Sequence, residues 1–362
     1  MIQTCYLAAA IAFVITATLL PLVRIVCSRL GLFDAPGPLK IHSQPTPRFG
    51  GAAIFLGISA AMIATGSHRA LVAWPFFAAL AMVWSAGSMD DLRGLSPVFR
   101  LAAQFSSGAL LWIGGWRIPL GWPTIGLFVS GALVVALCNS LNLLDGLDGV
   151  AVGVSLVMGA AYLALPLGSL SAFARAVAWC SVAACLAFLP VNWPTARLFL
   201  GDGGSNLLGF LVAFLALDFY RSQPATPAAA FFPLLVAALP LSDAVFAAVR
   251  RLRGRKPVLY GDRRHVYDLL RSRGWPAPRI ALTLYAVTAL FAAIGLSGVR
   301  THSSLFWPVS ISVVVLYLGV AIRLGSLRCE HTVQPTGTTS SNRLSKEEGV
   351  TAVHAEDTSA LS

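Results

Sequence analysis

The sequence has little charge. Only 11% of its 362 residues are Asp, Glu, Lys or Arg, whereas 57% are hydrophobic, and the mean hydropathy is +0.75. This balance excludes an ordinary soluble domain, because apolar runs of about 20 residues are long enough to cross the hydrocarbon of a bilayer. The first run, at about 5–25, lacks a cationic start and a small-residue cleavage site. We interpret it as an anchor that stays on the protein.

The sequence also lacks any C-x-x-C pair among its six cysteines. Because free cysteine behaves as a small apolar residue, we expect core positions for the five that lie in or beside apolar runs. These five are Cys5, Cys27, Cys138, Cys180 and Cys185.

What remains is a series of apolar segments that predicts an all-α, polytopic integral membrane protein of about eleven transmembrane helices. No internal repeat is visible. Residues 1–325 form the predicted transmembrane domain, and the polar residues 326–362 predict a disordered cytoplasmic tail. The predicted spans are 5–27, 49–66, 71–89, 99–115, 124–141, 150–167, 172–191, 206–220, 228–249, 280–298 and 305–323.

Basic residues indicate the orientation. Most of the 26 Lys and Arg residues fall in the odd-numbered connections between the spans. Because cytoplasmic loops are enriched in these residues, we expect the N-terminus outside the cell inner (plasma) membrane, and the tail in the cytoplasm. The basic loop 250–279 also suits anionic lipid. Nucleic acid is the poorer explanation of the net charge of +11, because a basic stripe beside a bilayer already has a partner.

Acidic residues fall almost entirely on the same predicted side. Only Asp218 is expected outside. Carboxylates of an ion pathway would more often lie near the bilayer midplane, so this arrangement favours an active site at the cytoplasmic face. The acidic residues expected there are Asp34, Asp90, Asp91, Asp145, Asp148, Asp202, Asp243, Asp262 and Asp268.

The strongest single motif is a polar seam at 139–149 between two apolar runs. Its amide and carboxylate oxygens suit Mg²⁺, with Mn²⁺ as an alternative, and Gly146 and Gly149 allow a tight turn. An ordinary Asp-Gly turn is the competing interpretation, although it would not require so many polar groups. The polar residues are Asn139, Asn142, Asp145 and Asp148.

Two further motifs precede this seam. The proline-rich first loop carries Lys40, His42 and Arg48, which suits phosphate binding or an ordinary basic loop. The Asp90-Asp91 pair, followed by Arg100, suits metal binding or proton transfer. A helix end with a solvated turn is the alternative for this pair.

Two motifs follow the seam. Asp202, within the Gly-rich stretch 201–204, is a candidate Mg²⁺ ligand just before a helix, with a plain loop as the alternative. The basic loop 250–279 places Arg263, Arg264 and His265 together, which suits a diphosphate clamp or a solvated charged face. Asp243 is expected to be either a structural partner for an Arg or part of the site.

In this order, the motifs resemble the polyprenyl-phosphate N-acetylhexosamine-1-phosphate transferases of glycosyltransferase family 4. The resemblance covers about residues 1–325. It rests on the early loop ending Thr46-Pro-Arg48-Phe-Gly-Gly51, the Asp90-Asp91 pair, N-x-x-N-x-x-D-G-x-D-G at 139–149, Phe199-Leu-Gly-Asp202-Gly-Gly-Ser205, Pro240-Leu-Ser-Asp243 and the His265 loop.

The resemblance implies transfer of a sugar-1-phosphate from a UDP-sugar to polyprenyl phosphate in membrane lipid, with release of UMP and with Mg²⁺. It implies Asn142 and Asp202 as metal ligands. It places Asp90 and Asp91 at the acceptor phosphate, with one of them a base, and Arg264 and His265 at the diphosphate. We predict Asp90, Asp91, Asp145, Asp148 and His265 as the catalytic residues. The resemblance places Asp148 at the uridine. We predict as substrate-binding residues Lys40, His42, Arg48, Arg100, Asn139, Asp148, Arg263 and Arg264.

Two branches of that family compete. The muramoyl-pentapeptide transferases of peptidoglycan synthesis carry three consecutive His residues in the last loop, whereas this loop of the sequence contains only His265. Its first loop resembles the N-acetylglucosaminyl branch. Tyr267 and Asp268 depart from the H-x-H-H of that branch, which leaves the N-acetylhexosamine open. A homodimer is also left open by the resemblance.

Two other function classes fit an apolar chain. A secondary transporter would explain polar breaks, but it would favour inverted repeats or acids near the midplane, and the sequence shows neither. A structural membrane protein would not need the Asp-Asp pair and the Gly-Asp-Gly-Gly-Ser stretch. We therefore expect an enzyme.

Overall fold

The structure is a computed structural model, and it describes residues 2–34, 45–66, 73–222, 227–257, 262–301 and 305–328. Residues up to Arg328 form one compact unit. Lys40, His42 and residues 329–362 of the predicted tail lie outside the described residues, so the statements made about them above stay predictions.

The described chain is mainly helical with almost no sheet, as the composition predicts. The helices are α1 (Ile2–Leu30), α2 (Gly50–Ala64), α3 (Trp74–Arg93), α4 (Pro97–Ile113), α5 (Pro123–Leu144), α6 (Val150–Leu163), α7 (Ala172–Asn192), α8 (Gly201–Ser222), α9 (Pro227–Val236), α10 (Ala238–Arg253), α11 (Val266–Arg271), α12 (Ala277–Thr301) and α13 (Phe306–Leu324). Two short antiparallel strands, β1 (Phe33–Asp34) and β2 (Thr46–Pro47), pair Phe33 with Pro47 and Asp34 with Thr46.

Local sequence explains where several helices begin. Proline stands in the first turn of α3, α4 and α5, where its missing N–H costs no hydrogen bond. Ser96 and Ser171 are N-caps, and their hydroxyls accept from the backbone N–H of Phe99 and Ala174. The helix boundaries therefore follow from short-range signals.

Every predicted span corresponds to helix, and the chain is a multi-pass membrane protein. Among the described residues, α1, α5, α7, α8, α12 and α13 are long and apolar enough to cross a bilayer. The predicted span 228–249 is broken, because α9 and α10 meet at an angle of 72° and can form a seventh span only as a bent pair. α2 and α6 are shorter apolar helices of 15 and 14 residues.

α8 lies at the centre of the bundle. Its apolar window is 94% buried, whereas the corresponding windows of α1 and α13 are 22% and 11% buried. The small residues of the Gly-rich stretch allow its neighbours to approach closely. A Cβ on Gly51 of α2 would lie 2.3 Å from Cα of Gly204, and one on Gly87 of α3 would lie 2.5 Å from the carbonyl oxygen of Asp202. α2, α3 and the start of α8 therefore meet at one end of the bundle.

Candidate active site

A cleft of about 960 Å³ opens where the polar motifs meet. It collects chain segments from the end of α1 to the start of α12, including the first loop, the end of α3, the 145–148 turn and the loop that leads into α8. The charged residues that line it are Arg24, Asp34, Arg48, Asp90, Asp91, Asp145, Asp148, Arg197, Asp202 and Arg271.

Asp90 and Asp91 both line the cleft but have different partners. Oδ1 of Asp90 accepts from the N–H of Leu95 at 2.6 Å, and its Oδ2 accepts from Nη1 of Arg100 at 2.6 Å. Oδ2 of Asp91 accepts from the N–H of Gly203 at 3.4 Å. Asp90 is therefore held by the turn into α4, whereas Asp91 faces the start of α8.

Burial raises the pKa of Asp91 to about 6, although the N–H of Gly203 and the guanidinium of Arg48 oppose the shift. The carboxylate lies beyond the predicted 71–89 span, at the cleft. A carboxylate with this pKa can accept a proton near neutral pH, as a general base requires.

Asp202 is placed in the first turn of α8 and its side chain is 36% exposed. Nδ2 of Asn142 donates to its Oδ1 at 3.0 Å and to Oγ of Ser205 at 3.0 Å. Nη1 of Arg100 lies 3.8 Å from its Oδ2. The two residues expected to hold a metal are therefore in direct contact, although they are far apart in the sequence.

The side chains of Tyr267 and Tyr285 pack against the 145–149 turn. A Cβ on Gly146 would lie 1.9 Å from Oη of Tyr267, so only glycine fits there. Oη of Tyr267 donates to the carbonyl of Leu143 at 3.2 Å, and Oη of Tyr285 donates to the carbonyl of Gly149 at 2.6 Å. Gly149 itself has a φ of 77°, which favours glycine.

The two carboxylates of this turn line the cleft. Oδ2 of Asp148 accepts from the N–H of Ala196 at 2.9 Å, which ties the turn to the loop before α8. The pKa of Asp145 is raised well above its usual value, first by burial and then by the negative charges of Asp202, Asp91 and Asp148. The negative charges of these carboxylates are therefore concentrated at one side of the cleft.

Arg48 joins the first loop to the Asp pair. Its Nη1 lies 3.8 Å from Oδ1 of Asp34 and 3.7 Å from Oδ1 of Asp91. The loop is fixed by backbone bonds, since Phe199 donates to the carbonyl of Pro47 at 2.8 Å, and Gly50 donates to the carbonyl of Phe199 at 2.9 Å. The prediction that this loop contributes to the site is consistent with this placement.

Comparisons with known proteins bear on this cleft. The sequence profile described as glycosyl transferase family 4 matches residues 73–220. Decaprenyl-phosphate N-acetylglucosaminephosphotransferase of Mycobacterium tuberculosis is 30% identical over 308 residues, which cover 75% of this chain and 76% of the relative. This chain belongs to glycosyl transferase family 4. The resemblance drawn from the sequence motifs is confirmed.

Two further relatives of this family 4 protein cover similar shares. The probable undecaprenyl-phosphate N-acetylglucosaminyl 1-phosphate transferase of Bacillus subtilis is 27% identical over 300 residues, 79% of this chain and 82% of the relative. The undecaprenyl-phosphate alpha-N-acetylglucosaminyl 1-phosphate transferase of Escherichia coli K12 is 27% identical over 317 residues, 80% of this chain and 83% of the relative.

His265, which the sequence analysis placed at a diphosphate, is buried in this family 4 protein. His265 is 3% exposed, and its Nδ1 lies 2.6 Å from Oδ2 of Asp243. Its Nε2 lies 3.5 Å from Oδ1 of Asp262. Asp243 therefore does have a structural partner, but this partner is a histidine rather than the arginine considered above. His265 is not among the residues that line the described cleft, so its catalytic role stays a prediction.

Other predicted residues also lie beside the cleft rather than in its lining. Nδ2 of Asn139 donates to Oε1 of Gln104 at 2.6 Å, and Nε2 of Gln104 donates to Oδ1 of Asn206 at 2.9 Å, within a network between helices. Arg263, Arg264 and Arg100 are partly buried and likewise are not among the described lining residues. Their contacts with substrate stay predictions.

Sequence reasoning missed three cations of the cleft. Arg24, Arg197 and Arg271 are exposed and line it. In the sequence they contributed only to the orientation signal or to the basic loop. Arg197 had one available signal, since it lies in the short link between the predicted seventh span and Asp202.

The donor atoms at the cleft fit a hard divalent cation. Among the described residues, no three His, Cys, Asp or Glu side chains are close enough to hold a metal by themselves. Asp202 and Asn142 offer one carboxylate and one amide, and Mg²⁺ commonly takes its remaining ligands from water and substrate phosphate. To present its oxygen, the Asn142 amide must turn, because its Nδ2 donates to Asp202.

Proposed function

We propose that this chain transfers an N-acetylhexosamine-1-phosphate, N-acetylglucosamine-1-phosphate first among the candidates, from a UDP-sugar to polyprenyl phosphate with release of UMP. The product is the first lipid-linked sugar of a surface polysaccharide. The observation that carries the proposal is the single cleft that brings Asp91, Asp148 and Asp202 together with Arg48. Phosphoryl transfer needs positioning and charge stabilisation more than a covalent nucleophile, and this set of residues provides both.

The relatives support the choice of substrates. Each of the three is named for N-acetylglucosamine phosphate transfer to undecaprenyl or decaprenyl phosphate. The alternative, muramoyl-pentapeptide transfer, has no support from these names. A transporter has none either, because six carboxylates line one cleft, at helix ends and in loops.

In the proposed mechanism, an oxygen of the acceptor phosphate attacks the β-phosphorus of the UDP-sugar. The bond between this phosphorus and the oxygen that bridges to the α-phosphate breaks, and UMP leaves. Mg²⁺ held by Asp202 and Asn142 would neutralise charge on the diphosphate. Arg48 holds the acceptor phosphate, and Asp91 accepts its proton, because Asp90 is occupied by Arg100 and the N–H of Leu95.

The cleft is proposed to open on the cytoplasmic side of the inner membrane. UDP-sugars are water-soluble and would reach it from the cytoplasm. Its lining includes loop residues between α1 and α2 and between α7 and α8, which are odd-numbered connections of the predicted spans. The basic bias of these connections supports that orientation.

The test is UMP release by the purified full-length protein in detergent with polyprenyl phosphate and Mg²⁺. The donors are UDP-N-acetylglucosamine, UDP-N-acetylgalactosamine, UDP-6-deoxy-N-acetylhexosamines and UDP-muramoyl-pentapeptide. We expect acceptor-dependent release with one hexosamine, and loss of release in EDTA. Asp202→Asn should abolish release while the protein remains folded. Release only with muramoyl-pentapeptide, or no release with any donor, would overturn the proposal.

A further inference from the structure

The cleft contains cations that no carboxylate among the described residues neutralises. Arg48 lies near Asp34 and Asp91. By contrast, Arg24, Arg197 and Arg271 have no side-chain partner within the described part of the chain. Exposed guanidinium groups in a cleft, beside a cluster of carboxylates but unpaired with them, are available for the phosphates of a ligand.

Arg24 differs from the other two cations in its surroundings. It lies in the last two turns of α1, a helix whose apolar window is only 22% buried. Its neighbours Leu22, Ile25 and Val26 are 54%, 50% and 41% exposed. Large apolar side chains with this exposure on a membrane helix face lipid, so Arg24 lies where the cleft adjoins the hydrocarbon.

Arg24 lies on the buried face of α1 and lines the cleft. Leu20 and Cys27, one helical turn to either side, are 5% and 2% exposed, and residues at this spacing share a face. Sγ of Cys27 donates to the carbonyl of Arg48 at 2.9 Å. Arg24 therefore lies on the side of α1 that contacts the first loop, and Arg48 of that loop lies 3.7 Å from Asp91.

We propose that Arg24 binds the phosphate of the membrane-embedded acceptor and guides it from the lipid edge of the cleft to Arg48 and Asp91. This inference rests on the proposed function, and it names a residue for the acceptor alone. The ligand is a phosphate monoester on an isoprenoid chain. The apolar chain lies along the exposed residues of α1, and the charged head enters the cleft at Arg24.

An arginine near a helix end can also snorkel to the membrane surface without any ligand. Arg29 provides the matched control, because it lies on the same helix, is exposed, and is not among the lining residues of the cleft. Arg24→Gln and Arg29→Gln remove the same charge from the same end of α1. A difference in activity between the two variants therefore reflects binding in the cleft rather than a contact with the membrane surface.

The first measurement is UMP release by the full chain in nanodiscs, with each substrate varied at saturating levels of the other. We expect Arg24→Gln to raise the KM for polyprenyl phosphate about tenfold or more, the effect of losing a charge-assisted hydrogen bond. The KM for the UDP-sugar should stay within about twofold, and Arg29→Gln should resemble the wild type. An unchanged acceptor KM, or an equal rise for both substrates, would overturn the inference.

The second measurement is direct binding of radiolabelled polyprenyl phosphate to the same nanodiscs. If the wild type shows no turnover but binds the lipid with a dependence on Arg24, the proposed function fails and the inference holds. Competition arms separate the sources of phosphate. If phosphatidylglycerol or inorganic phosphate displaces the label as well as unlabelled polyprenyl phosphate does, Arg24 is a general anion site and the inference is wrong.

Discussion

Nδ1 of His265 lies 2.6 Å from Oδ2 of Asp243, and both residues are almost fully buried. The second oxygen of Asp243 accepts from the N–H of Val266 at 2.9 Å. One carboxylate on α10 therefore fixes the start of α11. Stacking of His265 on Tyr267, with ring centroids 5.6 Å apart, extends this anchor to the 145–149 turn that Tyr267 supports.

This anchor should make stability depend on pH. Burial alone would lower the pKa of His265, but Asp243, Asp262 and Asp268 outweigh burial, and the pKa is raised above the ordinary value of about 6.5. A raised folded-state pKa stabilises the protein fully below the unfolded value, and the contribution is lost as the pH rises through the folded value. His265→Gln should therefore cost about 2 kcal/mol, the contribution of a hydrogen bond to a charged group, at mildly acidic pH and less at alkaline pH.

Thermal unfolding of the wild type and the variant in one detergent from about pH 6 to pH 9 measures this dependence. Arg29→Gln serves as the control and should show no change with pH. A gap between wild type and His265→Gln that widened as the pH rose would contradict the assignment.

The Asp90-Asp91 pair should divide into a base and a positioning residue. Asp91→Asn should lower kcat about 100-fold or more, the contribution of a general base. Asp90→Asn should lower it less, because Asp90 acts through Arg100 and the turn after α3. Steady-state UMP release gives both values, and equal losses in kcat would refute the division.

Gly87 should be sensitive to one added methyl group. Its Cβ would lie 2.5 Å from the carbonyl oxygen of Asp202, so Gly87→Ala should push α3 away from α8, cost about 1–3 kcal/mol and reduce turnover. Gly319 of α13 has no atom within 4 Å of its Cβ position, and Gly319→Ala is the control. Melting temperature and UMP release should fall together for Gly87→Ala alone. If Gly87→Ala has the melting temperature and UMP release of the wild type, this tight contact is excluded.

Asp218 should matter for stability alone. It is fully buried near the far end of α8, and it accepts from Nε1 of Trp116 at 3.1 Å, from Oγ of Ser171 at 2.8 Å, and from Nη2 of Arg221 at 3.2 Å. Asp218→Asn leaves an N–H facing these donors and should cost about 3 kcal/mol. The KM values of the remaining folded protein should match the wild type. A changed KM with an unchanged melting temperature would connect this residue to the site instead.

The sequence predicted the helices well because long apolar runs have few alternatives. It could not predict the 72° break near Ala237, since the run from 228 to 249 is apolar on both sides and holds two prolines, Pro233 and Pro240. Which position bends depends on packing against other helices. Because of that break, α10, which carries Asp243, runs at 72° to α9.

Sequence reasoning singled out five carboxylates that line the cleft and one of its cations, Arg48, but not the other three cations. Asp90, Asp91, Asp145, Asp148 and Asp202 all line the cleft, because acids are rare in such a sequence and stand out. Arg24, Arg197 and Arg271 did not stand out, because basic residues at the ends of membrane spans already serve topology. The burial of His265 depends on Asp243, a contact between distant positions that no local pattern reveals.

The backbone bonds between the first loop and the loop before α8 have an evolutionary consequence. Pro47, Gly50 and Gly51 are bonded to Phe199 and Leu200 through main-chain atoms, and Gly51 leaves no room beside Gly204. We therefore expect the two segments to change together among homologues. A chimera with a homologue should tolerate exchange of both segments together, whereas exchange of either one alone would separate the halves of the cleft.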